Sequence, residues 1–177
     1  MLLLSMTRLI SCLLGGALLS LLGACQTGHF VTDKRFAVKL PPLRPYHGMV
    51  PVGFCQLPEV KKRLVYVRGT YSGVDEYWSF SPHWPSNHAD KACWGTTKVE
   101  LTLPDTLQVP TDMQAKFDST HQSYPNHYLI VDAVGRYEDN QPGGYGHVGH
   151  NKAQFVVAKL VQVRLVTVSR KGRILVD

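Results

Sequence analysis

The sequence predicts an all-β chain that closes into a small five-stranded Greek-key barrel with one short helix. Three observations carry this. Segments rich in β-branched and aromatic residues recur from residue 64 onward, separated by turn residues. A single helix signal falls between the third and the fourth of them. Glycines sit inside the first and the fourth, where the strands of a small barrel must bend sharply.

The first strand is read over Leu64–Tyr71, with Gly69 as a bulge or bend. Ser72-Gly73 makes a turn, and Glu76–Phe80 follows as the second strand. Residues 81–96 form a long loop holding His83, Trp84, His88, Cys93 and Trp94. Thr97–Leu103 alternates as a third strand. A short helix starts at Pro110-Thr111-Asp112, with Thr111 as its cap, and runs to about Phe117. Tyr128–Tyr137, which contains Gly135, is the fourth strand. Gln154–Val168 is a long fifth, and Ile174–Val176 adds a short edge strand. The order strand, strand, strand, helix, strand, strand is that of an OB-fold. A general β-sandwich is the alternative architecture.

The N-terminal segment reads as an export signal. Arg8 supplies a positive charge, and the apolar run Leu9–Leu22 follows. That run is about 14 residues, short of the roughly 20 a membrane-spanning helix needs. It ends in Leu22-Gly23-Ala24-Cys25, which resembles the lipobox of bacterial lipoproteins. The resemblance implies cleavage after residue 24 and lipidation of Cys25, with several acyl chains giving stable anchoring. Gln26, rather than Asp, resembles the outer-membrane sorting pattern. Expected divisions are a signal peptide over 1–24, a proline-rich tether and lead-in over 25–58, and the barrel over 59–177. The inner part of the lead-in should wrap the barrel, because Phe54 and Cys55 need burial.

The chain carries a formal net charge of +6, which favours anionic partners such as lipid headgroups or acidic glycans. Export argues against nucleic acid. Cys12 leaves with the signal and Cys25 is lipidated, so Cys55 and Cys93 remain as a pair in an oxidising compartment and should form a disulfide.

A second resemblance covers about residues 60–166. Val131–Tyr137, Gly143-Gly-Tyr-Gly-His-Val-Gly149 and Ala153–Val157 are similar to a group of small, mostly uncharacterised bacterial OB-like proteins. Val65–Tyr71 is similar to their opening strand. His150-Asn151-Lys152 departs from that group, in which aromatic and proline residues are commoner there. The resemblance implies a fold and no particular chemistry.

Candidate chemistry is sparse. His147 and His150 stand three apart and could share a metal, with His83, His88, Asp90, His121 or His127 as a third ligand. The plainer reading makes His147 a cap of a glycine-rich hairpin and leaves His150 exposed, so no metal and no cofactor is expected. Gly143-Gly144-x-Gly146 is followed by a strand rather than a helix, which excludes a phosphate-cradling loop. Gly-x-Ser-x-Gly is absent, and Asp75-Glu76 fits a solvated turn. The ring-bearing residues Tyr77, Trp78, Trp84 and Trp94 are the candidate ligand platform, since OB-folds bind ligands around strands two and three. Core packing against the Cys55–Cys93 bridge is the competing role for Trp94.

Three functions compete. The first is a non-enzymatic outer-membrane lipoprotein, an OB-like module for an envelope protein or anionic glycan. The second is an envelope metallo-hydrolase using His147 and His150. The third is an accessory of a secretion or conjugation apparatus, or an inhibitor of an envelope toxin.

Overall fold

The computed structural model describes residues 38–74, 76–83, 93, 98–169 and 173–177. Among the described residues, six strands and a helix follow one another: β1 (Val65–Val74), β2 (Tyr77–Pro82), β3 (Val99–Thr102), α1 (Thr111–Gln122), β4 (His127–Glu138), β5 (Ala153–Val168) and β6 (Ile174–Val176). A 3-10 turn, Phe54–Val60, precedes β1.

The sheet order is β3-β2-β1-β4-β5-β6, and β3 also pairs with β5. That extra pairing is parallel, Val99 opposite Ala153 through Thr102 opposite Val156, and it closes β1 to β5 into a barrel. The other pairings between these strands are antiparallel. Closure removes the open edges of the five barrel strands. This is the OB-like arrangement, with α1 between β3 and β4.

Phe54, Phe80 and Phe155 occupy the middle of the core, each at most 1% exposed. Their ring centroids are 5.1 and 5.8 Å apart along the chain of contacts. Burial of each contributes about 2 kcal/mol. Gly69 is not a bulge: β1 runs in unbroken register against β4 from Val65 to Tyr71. A Cβ at Gly69 would overlap the Phe80 and Phe54 rings, so the glycine is a space requirement of the core.

The bulges lie in β5 instead. Its register against β4 slips between Asp132 and Ala133, and again between Val134 and Gly135. Each slip adds one residue and swaps which parity faces inward. Ala153, Phe155 and Val157 point into the core, then Leu160, then Val163. Val166 and Val168 face outward into a second cluster with Tyr128 and Ile130.

That second cluster explains why β4 is buried on both faces. Val38, Leu40 and Ile174 pack on it from outside. Val52 N–H donates to Tyr66 O at 2.8 Å, and the Tyr46 and Tyr66 rings lie 5.6 Å apart. Phe54 and Leu57 reach into the main core. The described part of the lead-in is therefore laid against the barrel.

Asp132 is buried on this outer face, 2% exposed, between two arginines. Arg68 grips it with two hydrogen bonds, at 2.6 and 2.8 Å, and Arg164 donates a third at 3.0 Å. Arg68 also donates to Pro41 O at 2.7 Å, which ties the lead-in to the charge cluster.

Helix α1 covers one end of the barrel with Phe117. It extends five residues beyond the Phe117 end expected from sequence, to Gln122. Pro110, not Thr111, occupies the cap position, and no side chain caps the helix there.

Candidate ligand-binding site

The turn between β1 and β2 meets the loop between β4 and β5. This loop is wound tightly. Tyr145 and Asn151 exchange backbone hydrogen bonds at 2.8 and 3.0 Å, which closes a ring of residues around His147–Gly149. The Tyr145 hydroxyl accepts from the Asn140 and Gln141 N–H groups and donates to Asn140 Oδ1. A Cβ at Gly149 would overlap the Gly143 carbonyl, so this crossing requires glycine.

Asn151 fastens the loop to the barrel. It is 1% exposed. Its Nδ2 donates to Trp78 O at 2.9 Å and to Glu100 Oε2, and its Oδ1 accepts from Ser79 Oγ at 3.0 Å. One amide thus joins β2, β3 and the loop. Burial raises the Glu100 carboxyl above its ordinary range, and the Asn151 hydrogen bond opposes that shift.

The outer surface of this junction carries the exposed groups. Tyr77 is 47% exposed, and its ring lies 5.4 Å from His147 and 5.1 Å from His150, edge-on to both. His147 Nδ1 lies 3.0 Å from Glu76 Oε2. His150 Nε2 accepts from Lys98 Nζ at 3.0 Å. Desolvation first, then the charges of Lys98 and Lys152, lower the pKa of His150. Val148 stands at the loop tip, 81% exposed, with φ 49°. A β-branched residue in that left-handed region is strained, and such strain concentrates where a loop presents a surface.

The structure sorts the sequence candidates. Tyr77 is displayed. Trp78 is packed: its ring stacks on Tyr71 at 5.3 Å and meets His121 edge-on at 4.4 Å. Tyr71 hydroxyl and His121 Nε2 are hydrogen-bonded at 3.0 Å. Desolvation, with Asp118 opposing, lowers the pKa of His121, and burial, with Glu100 adding, raises that of Tyr71. Cys55 and Cys93 are bonded to each other. Cys25, Trp84, Trp94, His88 and Asp90 lie outside the described residues.

His147 and His150 border the same tyrosine but face opposite charges, a carboxylate and an ammonium. Among the described residues, no three His, Cys, Asp or Glu side chains come together to hold a metal. His83 is held inside, its Nδ1 3.2 Å from Thr70 Oγ1 and its Nε2 3.0 Å from Val38 O. His127 bonds Ser119.

A groove of about 380 Å³ runs between the β3–α1 connection and β5, lined by Pro104, Leu107, Pro110, Val157, Lys159 and Leu160 among others. Its lining mixes apolar side chains with Thr106, Gln108 and Lys159.

Sequence reasoning singled out Tyr77, His147 and His150 but missed Lys98, Asn151 and Glu100. In the sequence the Asn151 neighbourhood stood out only as a departure from the group the chain was expected to resemble. Comparison with known protein families, curated proteins and solved structures finds no match to this chain.

Proposed function

We propose that the chain is a non-enzymatic envelope lipoprotein whose OB-like barrel binds a glycan at the Tyr77 junction. The observation that carries this is the meeting of the β1–β2 turn and the β4–β5 loop around an exposed tyrosine flanked by His147 and His150. Loops at these two positions, beside strands two and three, are where OB-folds take oligosaccharides and oligonucleotides. Tyrosine offers a flat, rigid, amphipathic surface at low entropic cost, suited to a sugar ring. The positive charge, +6 for the whole chain and one less once Arg8 leaves with the signal, favours an acidic glycan of the envelope.

Anchoring is assigned to lipid on Cys25, with the barrel held near the outer membrane; its support is the Leu22–Cys25 motif. Metabolic labelling with palmitate should mark the wild-type chain and not Cys25→Ala.

The binding test is a glycan array of envelope oligosaccharides probed with the detergent-solubilised full chain. The expected result is a defined set of bound glycans, with affinity falling about tenfold in Tyr77→Ala. Binding to none of them, or equal binding by Tyr77→Ala, overturns the proposal.

A further inference from the structure

Two lysines and a neutral histidine lie beside Tyr77. Lys98 immediately precedes β3, and Lys152 immediately precedes β5. The Lys152 N–H donates to Lys98 O at 3.2 Å, so the parallel pairing of β3 with β5 sets the two lysines next to each other. His150 joins them through the 3.0 Å contact with Lys98 Nζ.

Like charges held side by side on a sheet cost stability in the protein alone. A counter-charge would remove that cost, yet among the described residues neither lysine has a carboxylate partner. The carboxylates described at this end are engaged elsewhere, Glu76 with His147, Glu100 with Asn151 and Glu138 with Gln154. Lys98 and Lys152 are both exposed, so the cationic face is open to an arriving ligand. Tyr77 borders it through the His150 ring at 5.1 Å.

We propose that Lys98, His150 and Lys152 form a subsite for an anionic substituent, a phosphate or a carboxylate, on a glycan whose ring packs against Tyr77. This rests on the reading that the junction binds a glycan. Lysine is a compact charge with three rotatable donors, a form suited to phosphate and carboxylate oxygens. The ligand supplies the counter-charge that the protein withholds, which makes the charged group a determinant of specificity.

The experiment titrates the full chain with three matched oligosaccharides, one neutral, one carrying a uronic acid and one phosphorylated. Wild type is compared with K98Q/K152Q, whose exposed substitutions remove the like-charge repulsion and should not lower the thermal midpoint. The expected result is a preference of about tenfold or more for at least one anionic sugar over the neutral one. The preference should vanish in K98Q/K152Q, which keeps its neutral-sugar affinity, and should shrink with added salt. Preference for the phosphorylated or the uronic sugar identifies the substituent. Equal affinity for neutral and anionic sugars overturns the subsite and leaves the glycan reading standing. So does a preference that survives K98Q/K152Q. If no sugar binds, the glycan reading fails, and inorganic pyrophosphate tests the cations alone. Saturable pyrophosphate binding lost in K98Q/K152Q supports the subsite, and its absence overturns it.

Discussion

The Asn151 side chain reaches across from the β4–β5 loop and donates its amide hydrogen to Glu100 on β3. The same amide group holds Trp78 O and Ser79 Oγ on β2. Loop placement and barrel stability therefore share one residue.

Asn151→Ala should leave a half-buried carboxylate, a carbonyl and a hydroxyl without their partner. Unsatisfied buried groups cost about 1–3 kcal/mol each, less where water can enter. A loss of roughly 2–4 kcal/mol is expected in urea unfolding, together with loss of glycan binding. Unchanged stability would mean that the amide is replaceable by solvent.

Asp132 makes a different demand. Its carboxylate is buried between Arg68 and Arg164, whose side chains are 11% and 17% exposed. Removing one partner of a buried ion cluster strands the others, at about 3–5 kcal/mol. Asp132→Ala should lose that much in denaturant unfolding. The lead-in should also become more protease-sensitive, because Arg68 anchors Pro41 O.

The Cys55–Cys93 bond closes a loop with a sequence separation of 38. Restricting the unfolded chain over such a loop contributes about 4 kcal/mol. The Cys55→Ala/Cys93→Ala variant, melted beside oxidised wild type, should show that difference. Reduced wild type should match the variant.

His83 should make the barrel acid-sensitive. Burial, partly opposed by its hydrogen bond to Val38 O, lowers its pKa to about 4, against an ordinary value of 6.5. Above pH 6.5 the ring is neutral in both states, and the stability is fully present. As pH falls from 6.5 toward 4, the unfolded chain takes up a proton that the folded one refuses. Roughly 3 kcal/mol should be lost over that window. Unfolding midpoints at pH 7.5 and pH 4.5 check this, and His83→Gln should flatten the dependence.

His150 predicts an opposite trend for binding. Desolvation and the neighbouring lysines hold it neutral, and an anion on the subsite would favour its protonated form. Affinity for a sulfated oligosaccharide, whose own charge stays constant, should therefore rise as pH falls from 8 to 5. His150→Gln should remove the rise and leave the Lys98 and Lys152 contribution.

The strand order and the helix were legible because they rest on local signals. β-branched and aromatic runs mark β1, β4 and β5, and turn residues separate them. The Cys55–Cys93 bond was expected by elimination on the reading that the chain is exported, and the two cysteines are bonded. The bulge expected at Gly69 is absent for a physical reason. Sequence shows that a glycine is present, but whether it bends the strand or yields space to Phe80 depends on a ring from another strand.

The sequence by itself determined which segments extend and which one coils, and it made a small barrel the expected product over a β-sandwich. Those outcomes depend on residues near each other in the chain. Tertiary structure alone decided that Tyr77 is displayed while Trp78 is packed, since adjacent residues on a strand face opposite sides. It also decided that Lys98 and Lys152, far apart in sequence, become neighbours, because only the parallel closure of β3 on β5 brings them together.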